Sequence, residues 1–342
     1  MIAPLKTLLV GLGSIGAAYV DDKAMAVNVP YVTHAQVLTD HPDFAWEAAV
    51  DLSEEACSRV RRTWGVPRVG RTLDEVGGLE DIEVAVLATP PSYRLPVIEA
   101  LPNLKAVVVE KPLGRTYEEA ERFKDACDSK GLVTQVNLTR RAEAIMAGLA
   151  CGGLEERIGH VQCGFGVYGN GLVNYATHTV DLVRMLLGEI AAVQAMPAAG
   201  EFQEGPLEGD CNLSFTLFML AGAAVTLHPI GFSHYREGSL DLWGTKGRME
   251  ILQEGLLVRT ASRGACRSLD GGYEVAADRA EISDTEYGRA LFDLYNDLAA
   301  VLDGAREGTC SPCASALVTE RVVHAVLDSA RLGGALVKTS GV

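Results

Sequence analysis

Over residues 1–137 the hydrophobic positions fall into two alternating textures. Continuous apolar runs at 5–10, 44–50, 82–88 and 105–110 have the length of buried strands, and a stretch with helical spacing follows each. Ser53 and Thr72 stand where helix N-caps are expected. Thr116-Tyr117-Glu118-Glu119 reads as a capping box that opens a helix ending near Ser129, with Gly131 as its stop. A further strand is expected over 132–137. Strand and helix in alternation predict an α/β, doubly wound parallel sheet of the Rossmann type over 1–137.

Beyond about residue 155 the pattern changes to short alternating runs separated by turn residues, among them HVQCGFGVY, NLSFTLFML and AAVTLHPIG. This predicts an α+β domain over 138–342 with a large open, mostly antiparallel sheet. Helices are expected at roughly 174–187, from Ser283-Asp284-Thr285-Glu286 to about Asp303, and over about 314–332. The C-terminal helices could return to pack on the first domain. An open sheet with a hydrophobic face calls for a cover, so a homodimer or homotetramer is expected.

Composition narrows the class. A chain of 342 residues with 48% apolar content can fill two cores. A net charge of −15 argues against a nucleic-acid partner, which would want a basic face. No apolar run reaches about 18 residues and no signal-peptide pattern opens the chain, so a cytoplasmic, non-membrane protein is expected. The eight cysteines then read as reduced thiols, and Cys310-Ser-Pro-Cys313 as incidental. It lacks the second ligand pair that a metal site needs, and no metal is expected.

The candidate chemistry begins at Leu8-Leu9-Val10, which leads into Gly11-Leu12-Gly13-Ser14-Ile15-Gly16. A G-x-G-x-x-G between a strand and a helix lets the backbone approach a pyrophosphate and the helix pack close to the strand. Asp51 closes the next apolar run, where a carboxylate accepts ribose hydroxyls and repels a 2′-phosphate, favouring NAD over NADP. Asp51 lies 35 residues past Gly16, against a usual offset of about 20. The excess reads as an insertion over 21–33, with the helix proper resuming at His34. The insertion sits either near the cofactor mouth or on the surface, and both readings stay open.

Three further segments carry polar residues at ligand-facing places. Thr89 and Pro90 follow one strand; Glu110-Lys111-Pro112 follows the next. Asn174, His178 and Asp181 stand at i, i+4 and i+7, on one helical face. His34, His41, His160, His228, His234 and His324 have no such spacing and read as structural or exposed.

GLGSIG, Asp51, ATPPS, VEKPLG, NLTRR and THTVDL, in this order, resemble the glucose–fructose oxidoreductase, inositol dehydrogenase and rhizopine-catabolism family (Gfo/Idh/MocA) along the whole chain. The resemblance implies oxidation or reduction of a sugar, sugar-nucleotide or cyclitol hydroxyl with NAD(P). It implies that Lys111 contacts the reacting oxygen, that His178 is the acid/base, and that Asp181 is a third catalytic residue. The cofactor would be held by Gly11, Gly13, Ser14, Ile15, Gly16, Asp51, Thr89, Pro90, Glu110 and Lys111. Asn137, Arg141 and Asn174 would contact substrate, with Arg140 beside them. Asn174 replaces a frequent family aspartate, and Arg94 a frequent histidine. Both changes tilt the expectation towards a charged or nucleotide-linked sugar. Two rivals remain: an NAD-binding sensor without turnover, and a hydrolase or eliminase with tightly bound NAD.

Overall fold

Six strands, β1 (Leu5–Val10), β2 (Phe44–Val50), β3 (Arg68–Gly70), β4 (Val84–Leu87), β5 (Ala106–Val109) and β6 (Val133–Val136), form a parallel sheet in the order β3-β2-β1-β4-β5-β6. The computed structural model describes residues 3–22, 25, 27, 29–196 and 205–339. The sheet belongs to one of two compact units, Met1–Ala142 with Gly288–Leu317; the other is Glu143–Tyr287 with Val318–Val342.

Alternation along the strands divides the first core. Leu8, Leu87 and Val109 pack on one face with Ile98, Phe123 and Cys313. Leu9, Val86 and Val108 pack on the other with Leu38, Cys57, Tyr295 and Leu298. Both faces are covered, which is why these strands read as continuous apolar runs. Strand order reverses between β1 and β4, so the crevice of this sheet opens at the C-terminal ends of those strands.

As the insertion reading expects, only a short helical turn follows the glycine loop, a π turn, Ser14–Ala18, and then a 3-10 turn, Tyr19–Asp21. The helix proper is His34–Asp40, opened by a capping box between Thr33 and Gln36. Residues 23, 24, 26 and 28 of the expected insertion lie outside the described residues. At Thr116 the hydroxyl accepts from Glu119 N, while the Glu119 carboxylate reaches Arg115 N instead of closing the expected box.

The second unit carries a ten-stranded sheet, from β14 (Tyr273–Val275) and β13 (Leu257–Ala265) through β12 (Gly247–Leu252), β11 (Ser239–Gly244), β7 (Val161–Tyr168), β10 (Ala224–Pro229), β9 (Phe215–Met219) and β8 (Ile190–Ala195) to β16 (Val337–Lys338), with β15 (Glu281–Asp284) on β13. It is mostly antiparallel; β7 and β10 run parallel. Its inner residues, such as Val225, Leu240, Leu242 and Met249, bury against Val180, Val183, Val322 and Val326 of two helices. One expectation fails here. Ser283-Asp284-Thr285-Glu286 does not start a helix, because Glu281–Asp284 pairs with Leu257–Thr260 and the helix begins at Ala290. Among the described residues no helix is long and apolar enough to cross a membrane.

Candidate functional site

At the end of β1 the glycine loop is fixed by backbone geometry. Gly11 has φ +94°, and a Cβ there would lie 2.4 Å from Ala88 O. A Cβ on Gly16 would lie 2.0 Å from Gly11 O. A Cβ on Gly13 would meet no heavy atom of the described residues within 4 Å, so this side of the loop is left open. Two glycines are needed by the fold and the middle one faces free space, as a loop cradling a pyrophosphate requires. The Asp51 carboxylate ties in from β2, accepting from Leu12 N at 2.7 Å and Ser53 N at 2.8 Å. Each carboxylate oxygen keeps capacity for another donor. Arg59, which no motif or spacing singles out, donates to Leu12 O at 2.8 Å and stiffens the same loop. This set fits the adenosine half of a dinucleotide.

After β4, Thr89 Oγ1 is buried and has no hydrogen-bond partner among the described residues. An orphaned hydroxyl at the ligand edge of such a sheet is a place for a bound group. Next to it, Arg94 corrects a sequence expectation. Its side chain is 1% exposed, and it donates to Thr89 O twice, at 3.0 and 2.8 Å, and to Pro112 O at 2.6 Å and Leu113 O at 3.3 Å. The guanidinium fork joins the loop after β4 to the loop after β5, and gives no support to an anionic substrate. Replacing Arg94 by alanine is expected to destabilise the protein by about 3 kcal/mol or more, read in urea unfolding, because four carbonyl contacts lose a charged donor. A change under about 1 kcal/mol would contradict the clamp.

Glu110 and Lys111 stand directly after β5, and the Lys111–Pro112 peptide bond is cis. Glu110 is buried and accepts from His34 Nε2 at 3.0 Å and from Asn137 Nδ2. His34 Nδ1 lies 2.7 Å from the Tyr295 hydroxyl. Burial pushes the Glu110 carboxyl up, but the His34 hydrogen bond and charge, the Asn137 amide and the Lys111 ammonium together hold it below the usual carboxylate value. Burial, then the Glu110 charge, push the Tyr295 phenol well above its usual value. An ionised Glu110 has no proton to give, so His34 Nε2 donates to it, an assignment made from the partners. His34 therefore lies at the heart of the site. Its partners are 76 and 261 residues away in sequence, and no local spacing could have revealed them.

Asn137 and the 3-10 turn Thr139–Arg141 follow β6, with Arg140 buried and Arg141 half-buried.

In the second unit, Asn174 and His178 lie half-buried, one on the π turn Leu172–Ala176 and one on the helix Thr177–Leu187. The Tyr175 ring packs edge-on to His178 at 6.0 Å. Asp210 supplies this turn with the negative charge that Asn174 lacks. Its carboxylate accepts from Val173 N at 3.0 Å and Asn174 N at 2.9 Å. Asp181, one turn on, is buried; it accepts from Thr319 Oγ1 at 2.8 Å and lies 3.9 Å from Arg184 Nη1. Among the described residues no group of three His, Cys, Asp or Glu side chains could hold a metal ion.

Residues 5–138 match the family model described as oxidoreductase family, NAD-binding Rossmann fold, and residues 167–337 match oxidoreductase family, C-terminal alpha/beta domain. Levoglucosan dehydrogenase of Pseudarthrobacter phenanthrenivorans is 25% identical over 268 residues, covering 63% of this chain and 68% of that protein. Across the curated relatives that match, the chain spans from 23% to 68% of their length. A solved levoglucosan dehydrogenase in complex with NADH and L-sorbose superposes with a TM-score of 0.74 at 19% identity, covering 100% of both chains. The super-repressor mutant of Gal80p from Saccharomyces cerevisiae does so with 0.76 at 17% identity, covering 99% of each. At these identities both likenesses are of fold.

Proposed function

The chain belongs to the Gfo/Idh/MocA oxidoreductase family, and on that premise we propose that it is an NAD-dependent enzyme interconverting a hydroxyl and a ketone on a sugar, sugar nucleotide or cyclitol. The observation that carries this reading is the lysine after β5, beside a buried carboxylate, in a sheet whose glycine loop fits a dinucleotide. The levoglucosan dehydrogenase relative supports the sugar class.

Bound NAD supplies the hydride acceptor. Gly11, Gly13, Ser14, Ile15 and Gly16 hold its pyrophosphate, Asp51 its adenosine ribose, and Thr89 and Pro90 the second ribose. Lys111 lowers the pKa of the reacting hydroxyl and stabilises its oxygen as negative charge develops. His178 takes the hydroxyl proton in oxidation and returns it in reduction. Asp210 holds the turn that leads into the helix carrying His178. Asp181 acts through the helix it braces with Thr319 and Arg184. Arg141 and Asn174 contact the substrate.

Asp51 makes NAD the preferred cofactor over NADP. The outer face of the second sheet, with Phe165 51% exposed, is the surface for a second copy in a homodimer or homotetramer; light scattering that returned a monomer would remove this part.

The whole reading is tested by following absorbance at 340 nm with NAD and with NADP against inositols, aldoses, uronic acids and sugar nucleotides. Turnover with NAD preferred supports it. Silence across the panel from protein that binds NADH would shift weight to a sensor without turnover, to a hydrolase or eliminase with tightly bound NAD, or to a substrate outside the panel.

A further inference from the structure

Asn137 is held in an unusual way for a residue at the ligand edge. Its Nδ2 donates to Glu110 Oε1, and its Oδ1 is buried and accepts no hydrogen bond among the described residues. The same Glu110 oxygen accepts from His34 Nε2, and His34 is backed by Tyr295. Turning the amide over would set Asn137 Oδ1 against a carboxylate oxygen, two acceptors with no proton between them. The amide therefore has one orientation, with its carbonyl oxygen kept for a donor from outside. A buried acceptor without a partner is destabilising, so a ligand that supplies the donor recovers that cost.

Topology says which end of the ligand this is. Asp51 after β2 and the glycine loop after β1 occupy one half of the sheet, where the adenosine and pyrophosphate of a dinucleotide belong. Glu110 after β5 and Asn137 after β6 occupy the other half, beyond the reversal of strand order. That half takes the nicotinamide end, whose donor is the carboxamide N–H.

Resting on the dinucleotide reading above, we propose that Asn137 is a cofactor-specificity residue, whose amide, oriented by Glu110 and His34, accepts the nicotinamide carboxamide N–H. The sequence alone placed Asn137 among the substrate contacts. The bond to Glu110 gives it this other task. The carboxamide so held fixes the rotation of the ring, and with it the face presented to substrate.

The test is calorimetric titration of the whole chain with ADP-ribose, NAD and the nicotinic acid analogue of NAD, which has a carboxylate in place of the carboxamide. Wild type is expected to bind NAD about tenfold or more tightly than the acid analogue, since that carboxylate offers no donor to Oδ1. Asn137→Ala brings the two within about twofold, with ADP-ribose affinity unchanged. Glu110→Gln is expected to keep the wild-type ratio, because its Oε1 still accepts from both His34 Nε2 and Asn137 Nδ2 and so leaves Asn137 in the same orientation. His34→Leu loses part of the discrimination, while His34→Gln, which keeps a donor for Glu110, retains it. An unchanged ratio in Asn137→Ala, or a wild-type ratio near one, with ADP-ribose still bound, would overturn the role of Asn137 alone. Failure of wild type to bind ADP-ribose would remove the dinucleotide reading itself, and this proposal with it.

Discussion

Replacing Lys111 by alanine is expected to lower kcat by about 10²–10⁴, with a smaller change in KM, because its charge matters most when the substrate oxygen becomes negative. The position supports this. Lys111 follows a four-residue strand with every residue buried, and the loop after it is clamped through Pro112 O and Leu113 O to the fork of Arg94. The ammonium is thus carried on backbone that has little freedom to move, and preorganisation of that kind costs nothing at the moment of reaction. ADP-ribose affinity should change little in the variant, which separates loss of chemistry from loss of the site. Lys111→Arg keeps charge but spreads it over a planar fork, and should recover only part of the rate. A loss under tenfold in the alanine variant would remove Lys111 from the proton and charge work.

The second large effect is expected in the glycine loop, where two similar substitutions should behave differently. A Cβ on Gly16 would lie 2.0 Å from Gly11 O, a backbone atom with no rotamer through which to escape. Gly11 cannot give way easily, since its N–H donates to Val50 O at 2.9 Å and its own Cβ position abuts Ala88 O. Gly16→Ala should therefore cost about 1–3 kcal/mol of stability and lower NAD affinity by about a hundredfold. Gly13→Ala meets nothing among the described residues and should leave the melting temperature near that of wild type. It should nonetheless weaken NAD binding by a comparable factor, because its methyl group occupies the pyrophosphate's space. Gly13→Ala protein that bound NAD like wild type would contradict the cradle.

What was legible in the chain, and what was not, follows from distance in sequence. The glycine loop, Asp51 and the Glu110-Lys111-Pro112 turn announce themselves through local spacing and strand ends. The parallel sheet follows from the same alternation, although β3 is too short, at three residues, to leave a pattern. Ser283-Asp284-Thr285-Glu286 has the composition of a helix start, yet pairing with Leu257–Thr260 overrides local preference and makes it an edge strand. Thr33 and Gln36 form a capping box that the expected insertion obscured. Arg94 looked like a candidate for binding an anion, and only its complete burial against three backbone carbonyls shows it as a clamp. The two most informative side chains outside the motifs, His34 and Asp210, gain their meaning from partners far along the chain. Single-sequence periodicity has no access to such pairs.

The central claim is direct hydride transfer between NAD and a carbon that bears a hydroxyl group. It is tested most directly by turnover of a substrate deuterated at that carbon, followed by mass spectrometry of the reduced cofactor. The reduced nicotinamide is expected to carry the substrate's deuterium, in proportion to the ketone formed. Product formed without deuterium in the cofactor, or with the cofactor still oxidised, would contradict it.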